Sequence, residues 1–409
     1  MKPLNSPVAA QRSWKRVARV FMGAVVLGGA ALGAQAQSND IVVGFATAKT
    51  GWMEAYDTPA TNAAMIRIDE INAAGGLNGR KIKPVFVDTK TDRAQAAKAG
   101  LQLLDQGAEM LVVSCDYDFG APSALAAEKA GKVSMFLCAE DAKAGIQGVG
   151  KHAFSGSIIA AVQGATMAEW AYKRRNARSA YVLLDTMIEY NKSICKGFDW
   201  MGDSLKDFKI LGRDTFKNDD ASIAAQISRI KALPKEPDAI MLCSYAPGGA
   251  SAARQIRAAG INATILNGSA MDGTYWLSAV PNLSNFVVPV QGSIYGDDPN
   301  PKVEEFNKAF ERKFGARPSS MYAYPGYILM DLWGKAVERA KSTEGEAVVE
   351  QLNRMKDEPT LFGPRTFSAK LHIQDSVPLL ISEVRNGKPG IVDKWTISTP
   401  IPLDVALKK

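Results

Sequence analysis

Histidine is nearly missing from this chain. Only His152 and His372 occur in 409 residues, and neither has a recognisable serine or cysteine partner in sequence. Cysteine is scarce too: Cys115, Cys138, Cys195 and Cys243, with no C-x-x-C pair. That combination argues against a zinc framework. No G-x-S-x-G turn is present, so the strand–nucleophile–helix elbow of a serine hydrolase is absent. Beyond the first 36 residues no apolar run approaches the ~20 residues that a membrane-spanning helix needs. No stripe of Lys and Arg is suited to nucleic acid.

The first 36 residues read as a leader. Lys2, Arg12, Lys15, Arg16 and Arg19 form a basic region without an acid, residues 20–32 are apolar, and Ala34-Gln35-Ala36 is an A-x-A cleavage pattern. The pattern predicts export, with Gln37 as the new first residue and no cysteine there to carry a lipid. Removing the leader changes the charge. The chain has 49 Lys+Arg and 42 Asp+Glu; five of the basic residues lie in the leader, which leaves 44 against 42, a net charge of +2. The basic character of the whole chain therefore says little about its partners. The remaining 373 residues suggest two lobes, since domains usually hold ~100–200 residues.

The rest is organised around residues 69–92. Gly75-Gly76 stops a helix, Asn78-Gly79 marks a turn, and a β-rich run follows. The same unit repeats. Strands are predicted at 41–46, 81–88, 110–114 and 133–138, with helices at 56–74, 92–106 and 119–130. A second series places helices at 158–175, 191–206, 221–232 and 247–259, with strands at 179–184, 209–216, 238–243 and 264–267. Alternation of this kind means parallel sheets covered by helices. The last third is less regular: a β-rich run at 286–295, helices at 301–314, 322–341 and 344–356, then a hairpin over 379–396 turning on Asn386-Gly387. That hairpin is expected to close over one lobe or the hinge rather than extend a parallel series.

Ligands of open parallel sheets bind outside the carboxyl ends of the strands. The first lobe offers there Thr50-Gly51-Trp52, Asp88-Thr89, Cys115-Asp116-Tyr117-Asp118 and Ala139-Glu140-Asp141. The second offers Asp185-Thr186, Ser244-Tyr245 and Asn267-Gly268-Ser269. Hydroxyls, acids and aromatics together suit a small polar ligand with an apolar or ring portion. Gly145-x4-Gly150-Lys151 looks like the start of a phosphate loop, but His152 stands where Ser or Thr would bind magnesium. It reads as a surface loop. Cys115 and Cys138 end consecutive predicted strands, ~4.8 Å apart if adjacent, so a disulfide fits there. The alternative is four small buried cysteines.

The runs Ile41-Val42-Val43-Gly44-Phe45, Thr50-Gly51, Ile71-Asn72-Ala73-Ala74-Gly75-Gly76-Leu77-Asn78-Gly79, Asp88, and Ala252-Ala253-Arg254-Gln255-Ile256-Arg257-Ala258-Ala259-Gly260 resemble the leucine/isoleucine/valine-binding class of periplasmic solute-binding proteins. These deliver solutes to ABC importers. The resemblance covers essentially all of residues 37–409. It implies an α/β fold of two Rossmann-like lobes, joined by three crossovers near residues 154, 285 and 363, with the ligand in the cleft. Lobe 1 is then 40–153 plus 286–362, and lobe 2 is 154–285 plus 363–409. It also implies a periplasmic monomer without catalysis or cofactor, partnered by a small solute and a membrane permease.

Position by position, the resemblance places Tyr56, Tyr190 and Tyr245 at pocket aromatics. Cys138, Ala139 and Glu140 fall in a loop that ordinarily helps capture an α-carboxylate, and Ser269 and Asp272 fall where an acid ordinarily holds the α-ammonium. The departures are acidic: Asp116-Tyr117-Asp118 and Glu140-Asp141 would repel a carboxylate. With Trp52 and Tyr117 added for stacking or cation–π contact, the expected solute is aromatic, polyol-like or cationic. A branched-chain amino acid, a sensing role, and a two-carboxylate hydrolase are the alternatives.

Overall fold

The structure, a computed structural model, describes residues 39–408. The expected leader lies outside the described residues. The first sheet is parallel, in the order β2–β1–β3–β4–β5. Its strands are β1 (Ile41–Thr47), β2 (Ile82–Asp88), β3 (Met110–Val113), β4 (Val133–Phe136) and β5 (Ala153–Ser155). Helices α1 (Glu54–Ala73), α2 (Arg93–Asp105) and α3 (Tyr117–Lys129) connect the first four. β3 and β4 are buried at every position, as strands covered on both faces must be. Gly75 and Gly76 end α1 with φ of 106° and 83°. Asp92 caps α2 by accepting from the Gln95 amide at 2.7 Å.

Four helices, α4 (Ala160–Arg174), α5 (Glu189–Ser204), α6 (Ala224–Lys231) and α7 (Gly248–Ala258), belong to the second half. They accompany strands β6 (Ser179–Asp185), β7 (Lys209–Phe216), β8 (Ala239–Cys243), β9 (Thr264–Leu266) and β10 (Phe286–Val290). Helices α8 (Pro301–Phe314), α9 (Ala323–Ala340) and α10 (Gly345–Asn353) return to the first half. There α9 lies along α1, where Gly326 meets the Ala60 backbone so closely that a β-carbon has no room. β11 (Leu379–Arg385), β12 (Lys388–Trp395) and the short α11 (Leu403–Ala406) complete the chain. No helix among the described residues is long and apolar enough to cross a membrane.

Two expectations about the last third fail. The second sheet runs β12–β11–β10–β9–β8–β6–β7, so Phe286–Val290 belongs to it and not to the first lobe. The chain leaves the second lobe only after Val290. The closing hairpin also extends this sheet, because β11 pairs antiparallel with β10 along Phe286 to Val290. A parallel series accepts an antiparallel strand at its edge, and the fully buried β10 needs a partner on that side. The turn itself is as expected, with φ of 50° at Asn386 and 73° at Gly387.

Three crossovers join the halves, at about residues 156–159, 291–300 and 354–378. One side chain ties them. Arg365, 1% exposed, donates to the Gly156 carbonyl at 2.7 Å and to Gln291 Oε1 at 2.9 Å. It also donates to the carbonyls of Phe362, Gly363 and Pro364. Burial lowers its pKa to about 10, so the guanidinium is charged at neutral pH.

Candidate ligand-binding cleft

Strand ends of both sheets meet at a small cavity. The first lobe supplies Trp52 and Tyr56 from the start of α1, Asp116 after β3, Glu140 after β4, and Tyr322, which immediately precedes α9. The second supplies Ile188 and Tyr190 after β6, Tyr245 after β8 and Ala270 after β9. Cys115 and Cys138 form part of the wall and are joined by a disulfide, as their strand ends suggested. A second disulfide, Cys195–Cys243, was not foreseen: it ties α5 to β8, a helix-to-strand pairing that no strand-end argument reaches.

Aromatic rings pack against one another around the cavity, Trp52 against Tyr245 across the cleft and Tyr56 against Tyr322 within the first lobe. Trp52 and Tyr245 lie 4.6 Å apart, tilted by 34°, and the Tyr56 ring meets Tyr322 at 5.6 Å. The Tyr56 hydroxyl donates to the Ala270 carbonyl and accepts from the Ala246 amide, each at 3.2 Å. Burial raises this hydroxyl to about 12. One first-lobe residue thus holds two loops of the second.

The acids have distinct surroundings. Glu140 Oε2 accepts from Ser269 Oγ at 2.7 Å and from the Tyr322 hydroxyl at 2.9 Å. Glu140 Oε1 is buried and has no hydrogen-bond partner among the described residues. Burial pushes this carboxyl up to about 7, against the pull of those hydroxyls. Asp116 caps α3 through the Asp118 amide at 2.8 Å. Burial, then the Asp118 and Asp141 charges, raise it well above the carboxylate range. Behind both sits Asp57, which sequence reasoning missed. It accepts from the amides of Ala48 and Cys115 and from Ser114 Oγ, and so fixes two strand-end loops. Burial raises it to about 6.

Of the expected site residues, Trp52, Tyr56, Asp116, Cys138, Glu140, Tyr190 and Tyr245 come together around the cavity. Four do not line it. Tyr117 points its hydroxyl to the Gly148 carbonyl, because the turn of α3 carries it to the outer face. Ala139 packs in a separate apolar cluster, and its carbonyl accepts from Ser155. Ser269 stands one layer back, donating its hydroxyl to Glu140 and its amide to Gln163 Oε1. Asp272 accepts from the Tyr295 hydroxyl and the Met321 amide, so it braces loops near the second crossover. Met53, Ile188, Ala270 and Tyr322 line the cavity and were not foreseen. The loop at Lys151 pairs with Glu346 and does not form a phosphate cradle.

Charge pairs bridge the cleft beside the cavity. Lys143 meets Glu189 at 2.8 Å, and the Glu189 amide donates to Asp118 at 2.9 Å. Lys408 reaches Asp141 at 2.5 Å and Glu189 at 2.8 Å, joining both lobes to the C-terminal segment. Burial opposes ionisation of Glu189, but Lys143, Lys192 and Lys408 outweigh it and hold the carboxyl far below its ordinary value.

Residues 40–388 match the family model for periplasmic binding proteins. This chain belongs to that family. A Leu/Ile/Val-binding protein homologue from Brucella melitensis is 22% identical over 341 residues, which is 82% of this chain and 89% of its own. Among solved structures, the LivJ substrate-binding protein of Streptococcus pneumoniae, in complex with isoleucine, superposes with a TM-score of 0.76 at 24% identity. The match covers 88% of this chain and 99% of that one. A solute-binding protein of an ABC transporter from Rhodopseudomonas palustris, with 3,4-dihydroxybenzoic acid bound, gives 0.72 at 18% identity and covers 88% and 98%. This periplasmic binding protein therefore has the type I fold, two mostly parallel sheets with the cleft between them.

Proposed function

We propose that the protein is the solute-binding component of an ABC importer, working as a periplasmic monomer that hands a small solute to a membrane permease. Its lobes close on an organic molecule with an amine or another donor-bearing head and an apolar or ring-shaped body. The observation that carries this reading is Glu140 Oε1: a buried acceptor without a partner, beside a second acid, Asp116, in a wall otherwise aromatic and apolar. No Lys, Arg or His stands among the described residues lining the cavity. Such a wall favours a cation through charge and ring faces and disfavours an unaccompanied carboxylate. The cavity is small, which suits a small molecule.

A branched-chain amino acid is the second reading, favoured by the names of the relatives. It too brings an ammonium to Glu140, but its carboxylate then needs backbone donors at the strand ends. Thermal-shift and calorimetric titration with phenethylamine, leucine, isoleucine, valine, polyols and 3,4-dihydroxybenzoate separate these. An amine or polyol hit that Glu140→Gln weakens by about tenfold or more supports the first reading. Tight leucine binding with no amine or polyol hit sinks it and restores the second, and Glu140→Gln should then weaken leucine.

A further inference from the structure

The two disulfides stand in different places. Cys195–Cys243 is internal to the second lobe, with residues 5% and 0% exposed, and neither lines the cavity. Cys115–Cys138 lies on the cavity wall, where β3 and β4 have just parted beyond their last paired residues, Val113 and Phe136. Its Cα atoms are 4.3 Å apart. Asp116 follows Cys115 directly and Glu140 follows Cys138 by two residues, so the bond sits at the root of both acid-bearing loops. Both loops carry an acid into one small cavity, so the spacing of their roots sets how the two acids are presented. A covalent tie at that root fixes the spacing.

We propose that Cys115–Cys138 is a reducible clamp on the solute site: it holds the two acid-bearing strand ends together, and its reduction by a dithiol weakens solute binding while leaving the fold intact. This rests on the reading that the cleft between the lobes takes the solute. The chemistry is ordinary exchange. A dithiol's thiolate attacks the sulfur of Cys115, the more exposed residue of the pair at 8% against 1%, and expels Cys138 as thiolate. The reductant's second thiol then displaces Cys115. The two protons of the dithiol end on the cysteines, two cysteine thiols remain, and the reductant leaves as its own disulfide. A closed lobe or a bound solute covers the sulfurs, so binding and reduction oppose each other reciprocally.

The test is stepwise reduction of the purified protein with dithiothreitol, trapping with iodoacetamide and mapping of labelled cysteines. Cys115 and Cys138 are expected to label while Cys195 and Cys243 remain paired and circular dichroism is unchanged. Labelling of all four together, or of Cys195 and Cys243 first, overturns the proposal. Affinity is read with phenethylamine and isoleucine on Cys115→Ser/Cys138→Ser protein, or on the selectively reduced and alkylated protein if that variant does not fold. A loss of about tenfold supports the clamp, and affinity within about twofold of the oxidised protein overturns it. If neither compound binds any form, the solute reading fails on its own account. The clamp is then judged on the melting temperature between pH 5 and 8. Flattening of its pH dependence relative to the oxidised protein supports it, since loosened strand ends admit water to Glu140 and Asp116, whose shifts burial dominates. An unchanged profile counts against it.

Discussion

Glu140 carries a burial cost when ionised. Its carboxyl rises from 4.5 to about 7 on folding, chiefly through burial. A raised acid favours the protonated folded state, so this contribution is complete below the unfolded pKa and is lost as pH rises through the folded one. Asp57 and Asp272, each raised from 3.8 to about 6 by burial, act in the same direction. The melting temperature of the solute-free protein should therefore fall between pH 5 and 8. Glu140→Gln should flatten that fall and stabilise the solute-free protein at pH 8 by about 1–3 kcal/mol, given ~1.4 kcal/mol per unit of pKa. Denaturant titration at pH 5 and pH 8 checks it; a variant less stable than the parent at pH 8 would contradict the account. One substitution would then raise stability and weaken binding.

Among the elements, the start of α5 matters most for closure, because Glu189 there gathers Lys143 of one lobe and Lys408 of the C-terminal segment. Such partly exposed pairs act modestly and are screened by salt. Lys408→Ala should speed solute release by roughly 3–10-fold at low salt, and the difference should shrink near 0.5 M NaCl, as stopped-flow dissociation would show. A salt-independent effect would assign Lys408 a packing role instead. The sequence was legible where an element's own residues decide the outcome: alternating strands and helices, the Gly75-Gly76 stop, the Asn386-Gly387 turn, and acids and tyrosines at strand ends. It was silent where partners are distant. Nothing local in Phe286–Val290 says which sheet it joins. Tyr322 precedes a late helix rather than following a strand, and Asp57 is marked only by amides it meets through folding.

For the whole molecule, the proposed function makes closure the working motion. Tyr56, Glu140, Asp118 and Lys143 all bond across the cleft, so an open form must break these contacts together. Small-angle scattering should record a smaller radius of gyration on saturation with whichever compound binds. An unchanged radius would refute two-lobe closure. The motion turns on a joint held by Arg365, whose partners Gly156 and Gln291 lie 209 and 74 residues earlier. A chain emerging N-terminus first completes the first sheet and most of the second before that guanidinium appears. The pivot is therefore the last joint to set during synthesis, and a chain cut short before residue 365 would hold two nearly finished lobes with no coordinated grip on a cargo.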